Sequence, residues 1–516
     1  MGSTNTHNEE TSFEATLMAS AEKLRGAMDP AEYKHIVLGL VFLRYLGEAF
    51  EKKRKELQQD KLADPEDPEE YQADNIYWVP QEARWSLFAA EAHSPNIGKK
   101  IDEAMRAVEK ENESLKGALY KEYGKPSLDP NTLSGLIDLF SNLKLSGQSE
   151  DFDFLGRIYE FFLAEFAGKE GKRGGDFYTP PSIVKTLVAM TEPYSGRVYD
   201  PCCGTGGFFV QSERLINAHQ GKIGDVAIYG QERNNTTWKL AKMNLAIRGV
   251  DADIRWNAEG TLLKDAFPDL RFDYILANPP FNIKEWSGEL LRDDPRWKFG
   301  VPPQKNANFA WVQHMIHHLT SHGVAGIVLA NGSMTSNIGT EGEIRKALIQ
   351  NNLIDCMVAL PSQLFFGTSI SACLWIFAKN RTNGKSRKSI LRNRSGEILF
   401  IDARNLGHMV SRTQRSFSQD DINRIADTYH AWRGQQDSGK YENLVGFCKT
   451  ISLEEVHQQD FMLSPGRYVG TEVEEDDGPS FECKMQNLMV RFNDHLDQAQ
   501  RLTDQIQENL KRLGYA

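Results

Sequence analysis

Cysteine is scarce: the six thiols, at 202, 203, 356, 373, 448 and 483, form no CxxC pair and no zinc-like spacing. Neither a disulfide framework nor a structural zinc site is expected, and reduced thiols in a reducing compartment are the plain reading. No run approaches the roughly 18 uncharged apolar residues of a membrane span. The nearest, Ile36 to Leu46, is broken by Arg44 and reads as a buried helix. The chain does not open with a basic region and an apolar core, so a cytoplasmic protein without a secretory signal is expected. Met1-Gly2-Ser3-Thr4-Asn5-Thr6 fits the loose myristoylation pattern, which is short enough to match by chance. A GxxxxGK[ST] phosphate loop is missing, which argues against an ATP-driven motor in this chain. Positive charge is also short, with 60 Lys and Arg against 71 Asp and Glu and a formal charge of −11. That excludes nucleic-acid binding by bulk electrostatics alone, so any such partner needs a local basic surface or one borrowed from another subunit.

At 516 residues the chain is long enough for two or three domains. Residues 1–12 read as a disordered polar tail and 13–150 as a helical domain. Leu17, Ala21 and Leu24, then Ile36, Leu40, Leu43, Leu46 and Phe50, fall at helical spacing. The run Glu51-Lys52-Lys53-Arg54-Lys55 reads as a solvated helix end, with DNA contact as the alternative. From 151 to 470 short β-rich runs alternate with helical ones. Candidate strands are 197–200, 226–232, 272–278, 323–331, 354–360 and 372–379; candidate helices begin at 207, 235, 308 and 341. This alternation predicts an α/β, doubly wound, mainly parallel sheet with ligands at its carboxyl edge. The basic segment Lys379 to Gly396 reads as a solvated loop or a phosphate contact. Residues 471–480 form an acidic linker, and 481–516 a helix. There Met489, Phe492, Leu496, Ala499, Ile506, Leu510 and Leu513 keep a four-three spacing suited to pairing with another helix.

The chemistry concentrates in three places. "VYDPCCGTGGFFV" ends a strand on Asp200 and turns through Gly204, Gly206 and Gly207 into a helix, a geometry that admits a ligand close to backbone. The next strand ends on Glu232, where a carboxylate can accept both hydroxyls of a ribose, and Asp265 is placed to accept from an adenine amino group. Three acids around a glycine turn, with no pyrophosphate fingerprint, suit S-adenosylmethionine better than NAD. The third place is "YILANPPFNIK". An exocyclic amino group on a base is a poor nucleophile, and two acceptors, the Asn278 side-chain oxygen and the Pro279 carbonyl, can take its N–H protons and turn its lone pair outward. Pro280 stiffens that corner, and Phe281 can stack on the base.

"DPCCGTGGF", "QERN" with "AKMNL", and "NPPF" resemble the amino-methyltransferases that act on adenine N6. With "GGDFYTP" and helical flanks, the pattern is close to the modification (M) subunit of type I restriction-modification systems. The resemblance implies an S-adenosylmethionine-dependent methyltransferase fold with an N-terminal helical domain and a C-terminal helical segment. It further implies a cofactor segment of Asp176, Phe177, Tyr178, Thr179, Pro180 and Pro181, with Cys203, Gly204, Thr205 and Gly206 in the turn. Glu232 would hold the ribose and Asp265 the adenine, while Asn278, Pro279, Pro280 and Phe281 would hold the target base. Phe365 or Phe366 is the candidate for the base's second face. The family's usual Phe-x-Gly-x-Gly turn stands here as Cys202-Cys203-Gly204-Thr205-Gly206. Expected partners are double-stranded DNA with a flipped adenine, one specificity subunit for two M subunits, and a restriction motor-nuclease subunit, with no membrane. The competing readings are methylation of protein glutamine or RNA, and an inactive scaffold for a DNA-binding partner.

Overall fold

The computed structural model describes residue 17 and residues 19–26, 28–142, 153–170, 178–218, 226–365, 370–384, 390–470 and 481–513. The tail 1–12, the acidic linker, and Asp176, Phe177 and Phe366 lie outside the described residues. The chain divides into two compact units, Met1–Val469 and Gly470–Ala516.

Among helices of ten residues or more, α1 (Pro30–Leu57), α2 (Ile97–Glu111), α3 (Pro130–Ser141) and α4 (Asp153–Glu170) build the N-terminal region. Ile36, Leu40, Leu43, Leu46 and Phe50 of α1, the residues read from the sequence, are buried, and so are Val37, Leu38, Val41 and Phe42 between them. Two cations of the basic run ending α1 are paired within the chain: Lys53 with Asp74, and Arg54 with Glu66 at 2.5 Å. That pairing favours a structural role over DNA contact.

Among the described residues the main sheet has nine strands, in the order β11-β8-β6-β7-β5-β4-β1-β2-β3. They are β1 (Gly196–Asp200), β2 (Val226–Glu232), β3 (Ala252–Trp256), β4 (Phe272–Ala277), β5 (Leu319–Ala330), β6 (Ile354–Ala359), β7 (Ala372–Ala378), β8 (Glu397–Asp402) and β11 (Cys448–Ser452). A separate ribbon joins β9 (His408–Met409) to β10 (Arg415–Ser416). β1 pairs in parallel with β2 and β4, β2 with β3, β4 with β5 and β6 with β8. β7 runs antiparallel between β5 and β6, and β11 antiparallel along β8. β6 and β7 are buried at every residue, as continuous apolar runs require when helices cover both faces.

Helices α5 (Pro181–Thr191), α6 (Gly207–Ala218), α7 (Asn235–Ala246), α8 (Asn308–His318), α9 (Glu341–Gln350) and α10 (Gln419–Trp432) flank the sheet. Leu240, Met243, Ala246 and Ile247, in and just after α7, share a core with α1 and α4, so the N-terminal helices are built onto the sheet domain. After β3 the chain crosses to the far side of β1 to form β4. That reversal opens a crevice beyond the carboxyl ends of β1, β2 and β4, the place where ligands bind in such sheets. The second unit is the 32-residue helix α11 (Phe481–Arg512). Its Met489, Phe492, Leu496, Ile506 and Leu510 are exposed.

Candidate active site

The glycine turn and the β2 terminus are held as one piece. Gly204 and Gly206 have φ of +55° and +81°, the left-handed region that glycine enters without strain. Glu232 binds both ends of the turn region, one carboxylate oxygen accepting from the Gly204 N–H at 3.0 Å and the other from the Asn234 N–H at 2.7 Å. The Cys203 N–H donates to the Gln231 carbonyl at 2.9 Å, and Asn244 of α7 donates to the Thr205 carbonyl at 2.8 Å. Cys203 packs its side chain among Val198, Phe209, Ile228 and Ile254. Its contribution to a ligand site is therefore the shape of the turn. Burial, with the carboxylates of Asp200 and Glu232 nearby, pushes both Cys202 and Cys203 thiols well up, so neither serves as a thiolate. Asp200 is 2% exposed and accepts from the Cys202 N–H at 2.9 Å. Burial and the Glu232 charge raise its carboxyl from 3.8 to about 8.

Asp265 lies in the β3–β4 connection and is tied to this turn through residues the sequence did not single out. Gln231 accepts from the Ala266 N–H and donates to the Lys264 carbonyl, both at 3.1 Å, while the Thr261 hydroxyl, at 2.5 Å, donates to the Pro201 carbonyl. One Asp265 oxygen accepts from the Phe267 N–H at 2.9 Å; the other lies 2.7 Å from His318 Nε2. Burial alone would raise this carboxyl, but the His318 bond and the neighbouring imidazoles hold it below its ordinary value.

Asp265, His314 and His318 bring their ligand atoms within 4.8 Å of one another. A divalent cation is a poor fit there, because the Arg296 guanidinium lies 2.9 Å from His314 Nδ1 and is itself a fixed positive charge. The spacing of His314 and His318, four apart on one helix face, was the available sequence signal.

The Asn-Pro-Pro-Phe corner follows β4 directly. Asn278 Nδ2 donates to the Thr179 hydroxyl at 3.0 Å, which joins the "FYTPP" segment to the corner. Its Oδ1 is buried and has no hydrogen-bond partner among the described residues. Pro279 is buried and Pro180 caps α5, whose first residue is Pro181. Beyond Phe281 the backbone enters the left-handed region at Asn282, with φ +55°. Asn308, at the start of α8, clasps that residue: it accepts from the Asn282 N–H and donates to the Asn282 side-chain oxygen, both at 2.9 Å. Phe365 meets Phe281 edge-on, with centroids 5.7 Å apart and planes at 76°. Two faces sandwiching a base need roughly 7 Å, twice a carbon contact distance. In this structure Phe365 supports Phe281 and leaves no space for a ring between them.

Elsewhere, Arg381 and Arg394 of the expected basic segment are buried and converge on Asp355 at 2.9 and 3.1 Å. They are neither solvated nor free for phosphate. A cavity of about 340 Å³ beside them, at the amino edge of β1 and β4, has its charges largely paired within the protein.

The acids ending β1 and β2 and the aromatic corner after β4 stand at the switch point of a doubly wound sheet, the crevice where enzymes of this architecture bind their ligands. The model of the N-6 DNA Methylase family matches residues 150–477, and that of the HsdM N-terminal domain matches 13–140. The chain is 49% identical over 458 residues to the type I restriction enzyme HindI methylase subunit of Haemophilus influenzae, covering 85% of this chain and all of that protein. It is 38% identical to the MjaIX methylase subunit of Methanocaldococcus jannaschii, over 98% of this chain and 92% of that one. The solved methyltransferase subunit of a type I system from Streptococcus thermophilus superimposes with a TM-score of 0.73 at 27% identity, over 89% of this chain and 99% of that one. The chain belongs to the N-6 DNA methylase family, among the methylase (modification) subunits of type I restriction-modification systems, and is an adenine-specific DNA methyltransferase.

Proposed function

We propose that the chain transfers a methyl group from S-adenosylmethionine to N6 of an adenine turned out of double-stranded DNA. The observation that carries this reading is the buried, unpartnered Asn278 Oδ1, whose amide is fixed by Thr179 on its other side. An orphaned buried acceptor costs about 1 to 3 kcal/mol, and an arriving amino group relieves that cost. Asn278 Oδ1 and the Pro279 carbonyl accept the two N6 protons and favour a pyramidal nitrogen, while Phe281 stacks on the ring.

The cofactor fits the residues present. A Cβ at Gly204 would meet no described residue within 4 Å, and Glu232 and Asp265 stand beside the turn as carboxylates suited to a ribose and an adenine amino group. When bound, the cofactor supplies an electrophilic methyl on a cationic sulfur, which the acidic ends of β1 and β2 favour electrostatically.

Site recognition falls to a separate specificity subunit shared by two copies of this chain, with a restriction motor-nuclease subunit joining them in the cytoplasm. The exposed stripe on α11 suits pairing with a helix of such a partner. Among the described residues no helix is long and apolar enough to cross a membrane. A tritiated-methyl assay on unmethylated DNA, with and without the specificity subunit, tests the proposal. Methylation with the subunit present, lost in Asn278→Ala while cofactor binding persists, is expected. No transfer despite bound cofactor, or full transfer by the variant, would refute it.

A further inference from the structure

Three histidines lie together on α8, and their hydrogen bonds assign their protons. Arg296 Nη1 faces His314 Nδ1 at 2.9 Å, and a guanidinium only donates, so His314 accepts there and carries its proton on Nε2. That Nε2 lies 3.3 Å from the Tyr199 hydroxyl, which passes its own proton to Gln231 Oε1 at 3.1 Å. His314 is thus neutral; burial and the proximity of His318 push its basicity well down. Burial, with His318 and Arg271 nearby, lowers His317 to about 4.

His318 differs from both. Its Nδ1 lies 2.9 Å from the Leu270 carbonyl and its Nε2 lies 2.7 Å from an Asp265 oxygen. Both partners are acceptors, since a carbonyl cannot donate and Asp265 is held ionised. A neutral imidazole has one N–H to offer, and two acceptors require two. Among the described residues, Tyr199 from β1 and His314 and His317 from its own helix also lie against the ring, and Asp265 is the anion bonded to it.

We infer that His318 is a positioning residue for the cofactor's adenine: as an imidazolium fixed between Leu270 and Asp265, it locks the carboxylate so that its remaining lone pairs accept the adenine 6-amino group. This rests on the reading that the chain binds S-adenosylmethionine. A side chain with a single donor at this place holds one acceptor only, and Asp265 is free to turn.

The test is calorimetric binding, by the full chain, of two ligands that differ at the 6-position, S-adenosylhomocysteine and S-inosylhomocysteine, the second carrying a carbonyl there and a proton on N1. The wild-type protein favours the adenosyl ligand, and in His318→Gln, which keeps a neutral donor in similar volume, the ratio of the two affinities falls by about tenfold or more. Combining His318→Gln with Asp265→Asn changes the ratio no further than Asp265→Asn alone.

A His318→Gln protein with the wild-type ratio would show that His318 only packs, and would overturn the inference. If that variant does not fold, His318→Asn, which keeps one neutral donor in a smaller volume, decides by the same ratio. Folded wild-type protein that binds neither ligand would refute the cofactor reading and this inference with it.

Discussion

Asp200 makes a stability prediction whose sign follows from its surroundings. Its carboxyl is buried beneath the glycine turn, and its folded value of about 8 stands against 3.8 for the free side chain. Between those values the folded chain holds a proton that the unfolded chain releases. The contribution is therefore fully present below about pH 4 and is lost as pH rises through about 8, a slope of about 1.4 kcal/mol per pH unit. From pH 5 to pH 7 that amounts to roughly 3 kcal/mol. At about 2.1 cal/mol/K per residue, the unfolding entropy of a unit this large is about 1 kcal/mol/K, so the midpoint shifts by about 1.4 °C per pH unit. Asp200→Asn keeps an acceptor for the Cys202 N–H and removes the titration. Thermal midpoints of both proteins at pH 5, 6, 7 and 8 should therefore converge at the acid end and separate, the variant being more stable, toward the alkaline end. Parallel curves would refute the assignment. A cationic donor bound nearby would ionise the same carboxyl, so cofactor binding at neutral pH should release a proton, detectable as a binding enthalpy that varies with the buffer, and the variant should lose that release.

Phe281→Ala removes a stacking surface worth roughly 1 to 3 kcal/mol. It should weaken capture of the flipped base by about 5- to 150-fold, read by 2-aminopurine fluorescence at the target position, with cofactor affinity unchanged. Gly204→Ala places a side chain at φ +55° and points it into the open side of the turn. Strain of about 1 to 2 kcal/mol should appear in stability, and cofactor affinity should fall further than that strain explains. Removing residues 481–516 should abolish assembly with the specificity subunit, measured by co-purification, while cofactor affinity of the remainder is retained.

What could be read from sequence was local. The strands ending at Asp200, Glu232 and Ala277 announced themselves by apolar runs halted at an acid or a proline, and the structure gives each within a residue or so. Three strands of the main sheet escaped notice, as did the two-residue strands of the β9–β10 ribbon. β3 is an edge strand whose Asp253 and Arg255 side chains pair with each other, so its pattern reads as polar loop. β8 and β11 pair with each other, and β8 also joins distant β6, so their signal was tertiary. The candidate helix beginning at 308 stops at His318 and the strand placed at 323 begins earlier, because Leu319 pairs with Phe272 and opens β5. At the site, residue types at strand ends were legible and their supports were not. His318 reaches Asp265 across 53 residues, and Thr179 reaches Asn278 across 99. Nor could charge alone show that Arg381 and Arg394 turn inward to a buried Asp355.

On the proposed function the two halves of the crevice need opposite electrostatics, and this explains why the residue after β4 is an amide while those ending β1 and β2 are acids. A cationic donor is favoured by carboxylates. An incoming amino group needs an acceptor, and a buried carboxylate near other acids would take up a proton, as Asp200 does with Glu232 close by. Once protonated it becomes a donor on at least one oxygen and opposes the N–H it should receive. The Asn278 amide cannot titrate, and its orientation is fixed by the Thr179 bond. Asn278→Asp should therefore be nearly inactive at neutral pH and recover part of its rate as pH rises and the new carboxyl ionises, whereas Asn278→Ala stays inactive throughout. Single-turnover methyl transfer measured across pH at saturating cofactor distinguishes the two. A variant carboxylate as active at neutral pH as at alkaline pH would mean that the acceptor at this corner needs no protection from protonation, and the argument for the amide would fail.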